Sequence, residues 1–162
     1  MSFLSDLTEP LIEQGLVART AVQGCSEDEI AALMRAQGVT ELPRAYREFL
    51  AWGGRNPYWL STSGEWDYDW LLGAKDVARE IVVDDHQQDF TPFAEAFVLQ
   101  TFQGYLFFYF RASDLAKDDP HFWVYAEQTP LAESEGTFTD WLREMFDHLP
   151  EAVRLRREFG RE

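Results

Sequence analysis

Apolar residues fall into helical spacing towards both ends of the chain and into strand-like runs between them. Leu4, Leu7 and Leu11 share one side of residues 3–16, where Pro10 is expected to interrupt a weak helix. In GCSEDEI, Ser26 and Glu29 have the spacing of a capping box, and Glu27 and Asp28 occupy a first turn that favours acids. Ile30, Leu33 and Met34 continue at helical spacing until Gly38 closes the helix. A second helix is predicted in ELPRAYREFLAWGG. Pro43 suits its first turn, Tyr46, Phe49 and Leu50 face away from Arg44, Arg47 and Glu48, and Gly53 and Gly54 end it.

Residues 55–73 read as strand or loop and carry Trp59, Trp66 and Trp70. Within EWDYDW, acids alternate with aromatics, which predicts a strand with one polar and one aromatic face. Residues 74–83 fit either state: Ala74, Val77, Ala78 and Ile81 suggest a helix, and Ile81 to Val83 alone suggest a strand. Phe97 to Thr101 and Tyr105 to Phe110 flank Gln103-Gly104, a tight hairpin signal. The second run is apolar on both pleat faces and predicts a central, covered strand. After a turn at Asp118-Asp119-Pro120, Phe122 to Tyr125 give a third strand. Phe138, Trp141, Leu142, Met145, Phe146 and Leu149 trace a stripe over a helix 138–149, expected to break at Pro150. A short basic helix or tail is expected over 151–162. The order predicts an α+β fold, with a mainly antiparallel or mixed sheet packed against N-terminal and C-terminal helices.

Charge sharpens this picture. The chain has 162 residues, which predicts one domain with a core over about 20–149. Lys plus Arg is 14 and Asp plus Glu is 29, so the net charge is −15. Residues 60–140 hold 16 acids and 4 bases. Such a field repels nucleic acid and anionic membrane and attracts basic partners. The single cysteine, Cys25, cannot form an internal disulfide. With no signal-like segment in MSFLSDLTEP and no apolar run of membrane-spanning length, a cytoplasmic location is expected.

Leu42-Pro43, Tyr46, Phe49-Leu50 and Gly53-Gly54 follow a capped acidic helix in an order that resembles the opening of SUKH domains of the Smi/Knr type. The apolar hairpin, the DDP turn at Asp118–Pro120, the strand after it and the Thr137-Phe138 start of the closing helix are similar to the rest of that fold. The resemblance covers roughly residues 20–149 and implies a sheet packed against helices, without enzyme activity; no cofactor or metal is expected. Many bacterial members are immunity proteins that bind and neutralise a toxin, often a nuclease, and fungal members are regulatory scaffolds.

Candidate chemistry is sparse. Phosphate-binding glycine loops and the G-x-S-x-G elbow are absent. Cys25 lies at a helix start, but Glu27 and Asp28 oppose thiolate formation, so it reads as structural. Asp84, Asp85 and His86 are the best metal candidates, and a solvated acidic loop is the plainer reading. Asp67 and Asp69 could form a glycosidase-like carboxylate pair, although the strand alternation accounts for them more simply. The aromatic and acidic stretch PYWLSTSGEWDYDW fits either an interface or a cap on the core. Trp59, Glu65, Trp66, Asp67, Tyr68, Asp69, Asp84, Asp85, Asp118 and Asp119 are the expected partner-binding residues. The expected function is toxin neutralisation through a basic protein partner by a monomer or weak homo-oligomer. A regulatory scaffold is the alternative, and a metal-dependent hydrolase using Asp84, Asp85 and His86 a more remote one.

Overall fold

The computed structural model describes residues 3–159. Helices α1 (Phe3–Glu13), α2 (Glu27–Gln37) and α3 (Arg44–Gly53) come first. A one-turn helix α4 (Tyr68–Leu71) and a short α5 (Ala74–Arg79) follow. The latter widens into a π-helical segment, Glu80–Asp85. Four strands then form an antiparallel meander: β1 (Phe97–Phe102), β2 (Leu106–Phe110), β3 (His121–Ala126) and β4 (Ala132–Thr137). The long α6 (Phe138–Phe159) closes the fold. Among the described residues, no helix is long and apolar enough to cross a membrane.

Local signals set most of these boundaries. Ser26 Oγ accepts the Glu29 N–H at 3.2 Å, and Glu29 Oε1 accepts the Ser26 N–H at 2.9 Å, completing the capping box. Gly38 ends α2 with φ at 68°. In the β1–β2 hairpin, Gln103 and Gly104 both take positive φ, 50° and 80°, and the Tyr105 N–H bonds to the Phe102 carbonyl. This mirror-image turn matches the strand twist.

Three expectations are corrected. Residues 66–71 do not form an alternating strand, since Asp67 caps α4 through the Trp70 N–H at 3.3 Å. Proline interrupts neither terminal helix: α1 runs through Pro10, and α6 runs through Pro150 to Phe159. Loss of one backbone bond at Pro150 is offset by contacts beyond it. Val153 is buried, Arg154 pairs with Glu151 and Glu158, and Arg157 donates to the Gly15 carbonyl at 2.7 Å. The polar strand β4 had no apolar alternation to reveal it. It forms an edge carrying Glu133 and Glu135, a common device against edge pairing.

Both faces of β2 are covered. On one face, Phe107 and Tyr109 meet the Phe93 ring edge-on at 5.6 and 5.1 Å. On the other, Phe108 meets Trp141 and Phe110 meets Phe138 of α6. Tyr46 from α3 enters this second layer, its ring 5.2 Å from Phe97, 5.4 Å from Phe110 and 5.2 Å from Phe138. Phe49, one turn along, stacks on Trp66 at 5.2 Å. Tyr46, Phe49, Trp66, Phe97, Phe110 and Phe138 are all essentially inaccessible.

A polar knot ties α2, α5 and β1. The Gln37 amide donates to the Leu71 and Val98 carbonyls at 3.0 and 2.9 Å and accepts the Val98 N–H at 2.8 Å. Lys75 Nζ donates to the Gln37 and Ala96 carbonyls. Burial pushes the Lys75 ammonium down to about 8, and a neutral amine still has two N–H groups for those carbonyls.

Two predictions follow from the core. The Tyr46 hydroxyl is buried with no hydrogen-bond partner among the described residues. Tyr46→Phe should therefore keep stability within about 1 kcal/mol, while Tyr46→Ala should lose about 3–5 kcal/mol in urea unfolding. For Lys75, the folded state binds fewer protons than the unfolded chain between about 8 and the ordinary lysine value of 10.5. Stability should then rise with pH from about 8. Above the ordinary cysteine value of 9.0 the buried Cys25 thiol, pushed up to about 11, opposes that rise. Lys75→Met should be less stable by about 2 kcal/mol through its two stranded carbonyls. It should also lack the pH 8–9 rise in denaturant midpoint.

Candidate partner-binding surface

The structure divides the expected contact residues between core, framework and surface. Trp66 is 1% exposed and Tyr68 is 8% exposed, so burial withdraws both from any docking surface. Trp66 holds its place by donating from its indole N–H to the Ser61 carbonyl at 3.2 Å. Trp59 is half-buried, edge-on to Trp52 and Phe146, and lines a groove beside α6.

Three of the acids serve the fold. Glu65 bridges to β1: its backbone pairs with Thr101, and its carboxylate accepts from the Thr101 hydroxyl and the Gln103 N–H, both at 3.1 Å. Asp67 caps α4 and accepts the Tyr58 hydroxyl at 2.6 Å. Burial and this carboxylate push the Tyr58 phenol up to about 12. Asp119 accepts the Thr139 N–H at 3.0 Å at the start of α6. Asp118 is exposed, 3.6 Å from Arg44, and its carbonyl accepts the Ala45 N–H.

Asp69, Asp84 and Asp85 remain outward-facing. The last two belong to a larger acidic face. Along α5 and its π-helical extension, Ala74, Ala78, Ile81 and Val82 are buried, while Asp76, Glu80, Asp84 and Asp85 are exposed. The His86 N–H reaches back five residues to the Ile81 carbonyl, and this wider winding leaves both aspartates outside. Val83, 40% exposed, sits among them. Arg79, the only base in Ala74–Asp85 that reaches the surface, lies over the Phe90 ring at 4.5 Å. The period-3.6 placement of Asp76 and Glu80 was the available signal, obscured because the segment also read as a strand.

His86 does not join Asp84 and Asp85. Its Nδ1 lies 2.9 Å from the Tyr125 hydroxyl and its Nε2 lies 3.2 Å from Glu127. No group of three or more His, Cys, Asp or Glu among the described residues could hold a metal ion. Cys25 is buried, and that burial raises its thiol to about 11, far from a ready nucleophile. Asp114 went unremarked in the sequence. Its buried carboxylate lies 3.1 Å from Arg111 and 2.8 Å from Lys117. Burial alone would raise its pKa, but the two cations outweigh it and hold the carboxyl below the usual range.

The order of a capped α2, the Leu42-Pro43 entry to α3, and an antiparallel meander closed by α6 agrees with a family model. The model of the SMI1/KNR4 family (SUKH-1) matches residues 24–144. The chain belongs to that family. The match takes in the acidic face of α5 but stops inside α6, and α1 lies outside it. No curated protein and no solved structure matches the chain.

The different placements of two tryptophans can be tested directly. Trp66→Ala should cost about 3–5 kcal/mol in chemical unfolding. Trp70→Ala, at a ring 40% exposed, should cost about 1 kcal/mol through its bond to Thr101.

Proposed function

We propose that this chain is an immunity protein that binds and neutralises a cognate toxin, without catalysing a reaction. Membership of the SMI1/KNR4 family carries the reading, and the charge of −15 gives it a mechanism. A toxin that acts on nucleic acid must present Lys and Arg to phosphates. An acidic domain competes for those groups and masks them. Opposite charge also speeds encounter, which suits a partner that must be captured before it acts.

The acidic face of α5 is the best-placed surface for that steering. Asp76, Glu80, Asp84 and Asp85 are exposed, and none is drawn into an ion pair among the described residues. Cys25 and His86, the groups most suggestive of catalysis, are occupied in holding the structure.

The test is coexpression with a toxic domain encoded beside this chain. Host survival and a purified complex are expected; continued toxicity with no complex would sink the reading for that pair. In stopped-flow association at low salt, the double variant Asp84→Lys and Asp85→Lys should slow binding about tenfold, with the difference shrinking as salt rises. Thermal unfolding should be nearly unchanged, because both carboxylates are exposed.

A further inference from the structure

Helix α6 carries two apolar lines. The first, Phe138, Leu142, Phe146, Leu149 and Val153, is buried in the core. The second, apolar except for His148, is Trp141, Met145, His148, Ala152, Leu155 and Phe159, with alternating steps of four and three residues. That spacing averages about 3.5 residues, the repeat of a seam onto which another helix packs. Nothing among the described residues covers it fully. Trp141 and Met145 are half-buried, His148 and Ala152 are exposed, and Leu155 and Phe159 are 41% and 71% exposed. The seam forms one wall of a groove of about 520 Å³, with residues 58–63 as the other.

One flank of the seam is acidic, while Arg156 lines the groove on the other. Glu144, Glu151 and Glu158 recur every seven residues along one side of it. Arg154 bonds to Glu151 at 2.6 Å and Glu158 at 2.8 Å, so two of these three acids already hold a cation. Glu144 has no cation against it among the described residues. It also borders a smaller hollow of about 250 Å³, where Glu135 and Asp140 stand beside the Trp141 and Phe122 rings. Carboxylates around an aromatic floor suit a Lys or Arg side chain.

We propose that this seam docks an amphipathic helix of a partner protein, one with apolar residues in a heptad repeat and Lys or Arg on the flank facing Glu144. A cation at one end of that helix seats over Trp141. A second copy of this chain fits poorly: laid antiparallel, it sets glutamate against glutamate on this flank, and each copy carries −15. The seam from Met145 onwards lies beyond the family match at 24–144. The proposal rests on the partner-binding reading above and adds the site and the shape of what it holds.

The test has two arms, both with the full chain. In the first, fluorescence anisotropy measures binding of a labelled peptide of about three heptads, Leu along its seam and Lys along its flanks, against a peptide with Glu in place of Lys. The Lys-flanked peptide should bind at least about tenfold more tightly. Leu155→Glu and Glu144→Lys, both at exposed positions and checked for folding by circular dichroism, should each weaken it about tenfold. Unchanged affinity in both variants, or equal binding of the two peptides, overturns the proposal. So does a wild-type dimer in sedimentation that Leu155→Glu dissolves, because the seam would then serve self-association. In the second arm, the neighbouring toxic domain is coexpressed with each form. Protection by the wild type that Leu155→Glu loses supports the docking site. Equal protection by both overturns the site and leaves the immunity reading standing. If the wild type itself gives no protection, the immunity reading fails and the peptide result decides the site.

Discussion

The fold depends on one convergence of rings. Tyr46 and Phe49 project from α3 into the space between the sheet and α6, where Phe97, Phe110, Phe138 and Trp66 meet them. Edge-to-face pairs of this kind add about 0.5–1.5 kcal/mol each beyond the area they bury. They also fix orientation, because a ring meeting three neighbours edge-on has few alternative seats. The helix that carries Tyr46 therefore sets where β1, β2 and α6 can lie, and burying Trp66 draws the 58–66 segment onto the same core.

Around this centre the acids divide into two populations. Glu65, Asp67, Asp119 and Asp114 are bound to hydroxyls, backbone N–H groups or cations and maintain the framework. Asp76, Glu80, Asp84 and Asp85 are displayed on a helix whose inner side is held by Ala78, Ile81 and Val82. Under the proposed function, a rigid backing beneath carboxylates that no ion pair among the described residues engages lets them meet a partner at little further ordering cost. The acids are thus divided between those the fold uses and those it leaves on the surface.

Under the proposed toxin-binding role, the two surfaces suit different stages of one encounter. The α5 face offers long-range attraction with little apolar area, apart from Val83. The α6 seam offers apolar area with a shorter acidic flank. Fast capture needs the first property and slow release the second, since off-rates follow buried anchors more than rim charge. The family match covers α5 and leaves most of the seam outside.

Much of the fold was written locally. The capping box at Ser26, the glycine stop at Gly38, the Gln103-Gly104 turn and the doubly apolar β2 depend on neighbours in sequence, so pattern reading could reach them. So could the α6 core stripe and the family resemblance carried by Leu42-Pro43, Tyr46 and Phe49-Leu50. Tertiary contact decided the remainder. Whether EWDYDW formed a strand depended on Asp67 capping a helix, and whether Pro150 ended α6 depended on contacts made by Val153 and Arg157. The polar β4 needed β3 as a neighbour to exist as a strand. Most of all, sequence could mark Trp66 and Tyr68 as notable but could not say that they face inward. Burial is a property of what packs around a residue, and that surrounding is assembled from distant parts of the chain.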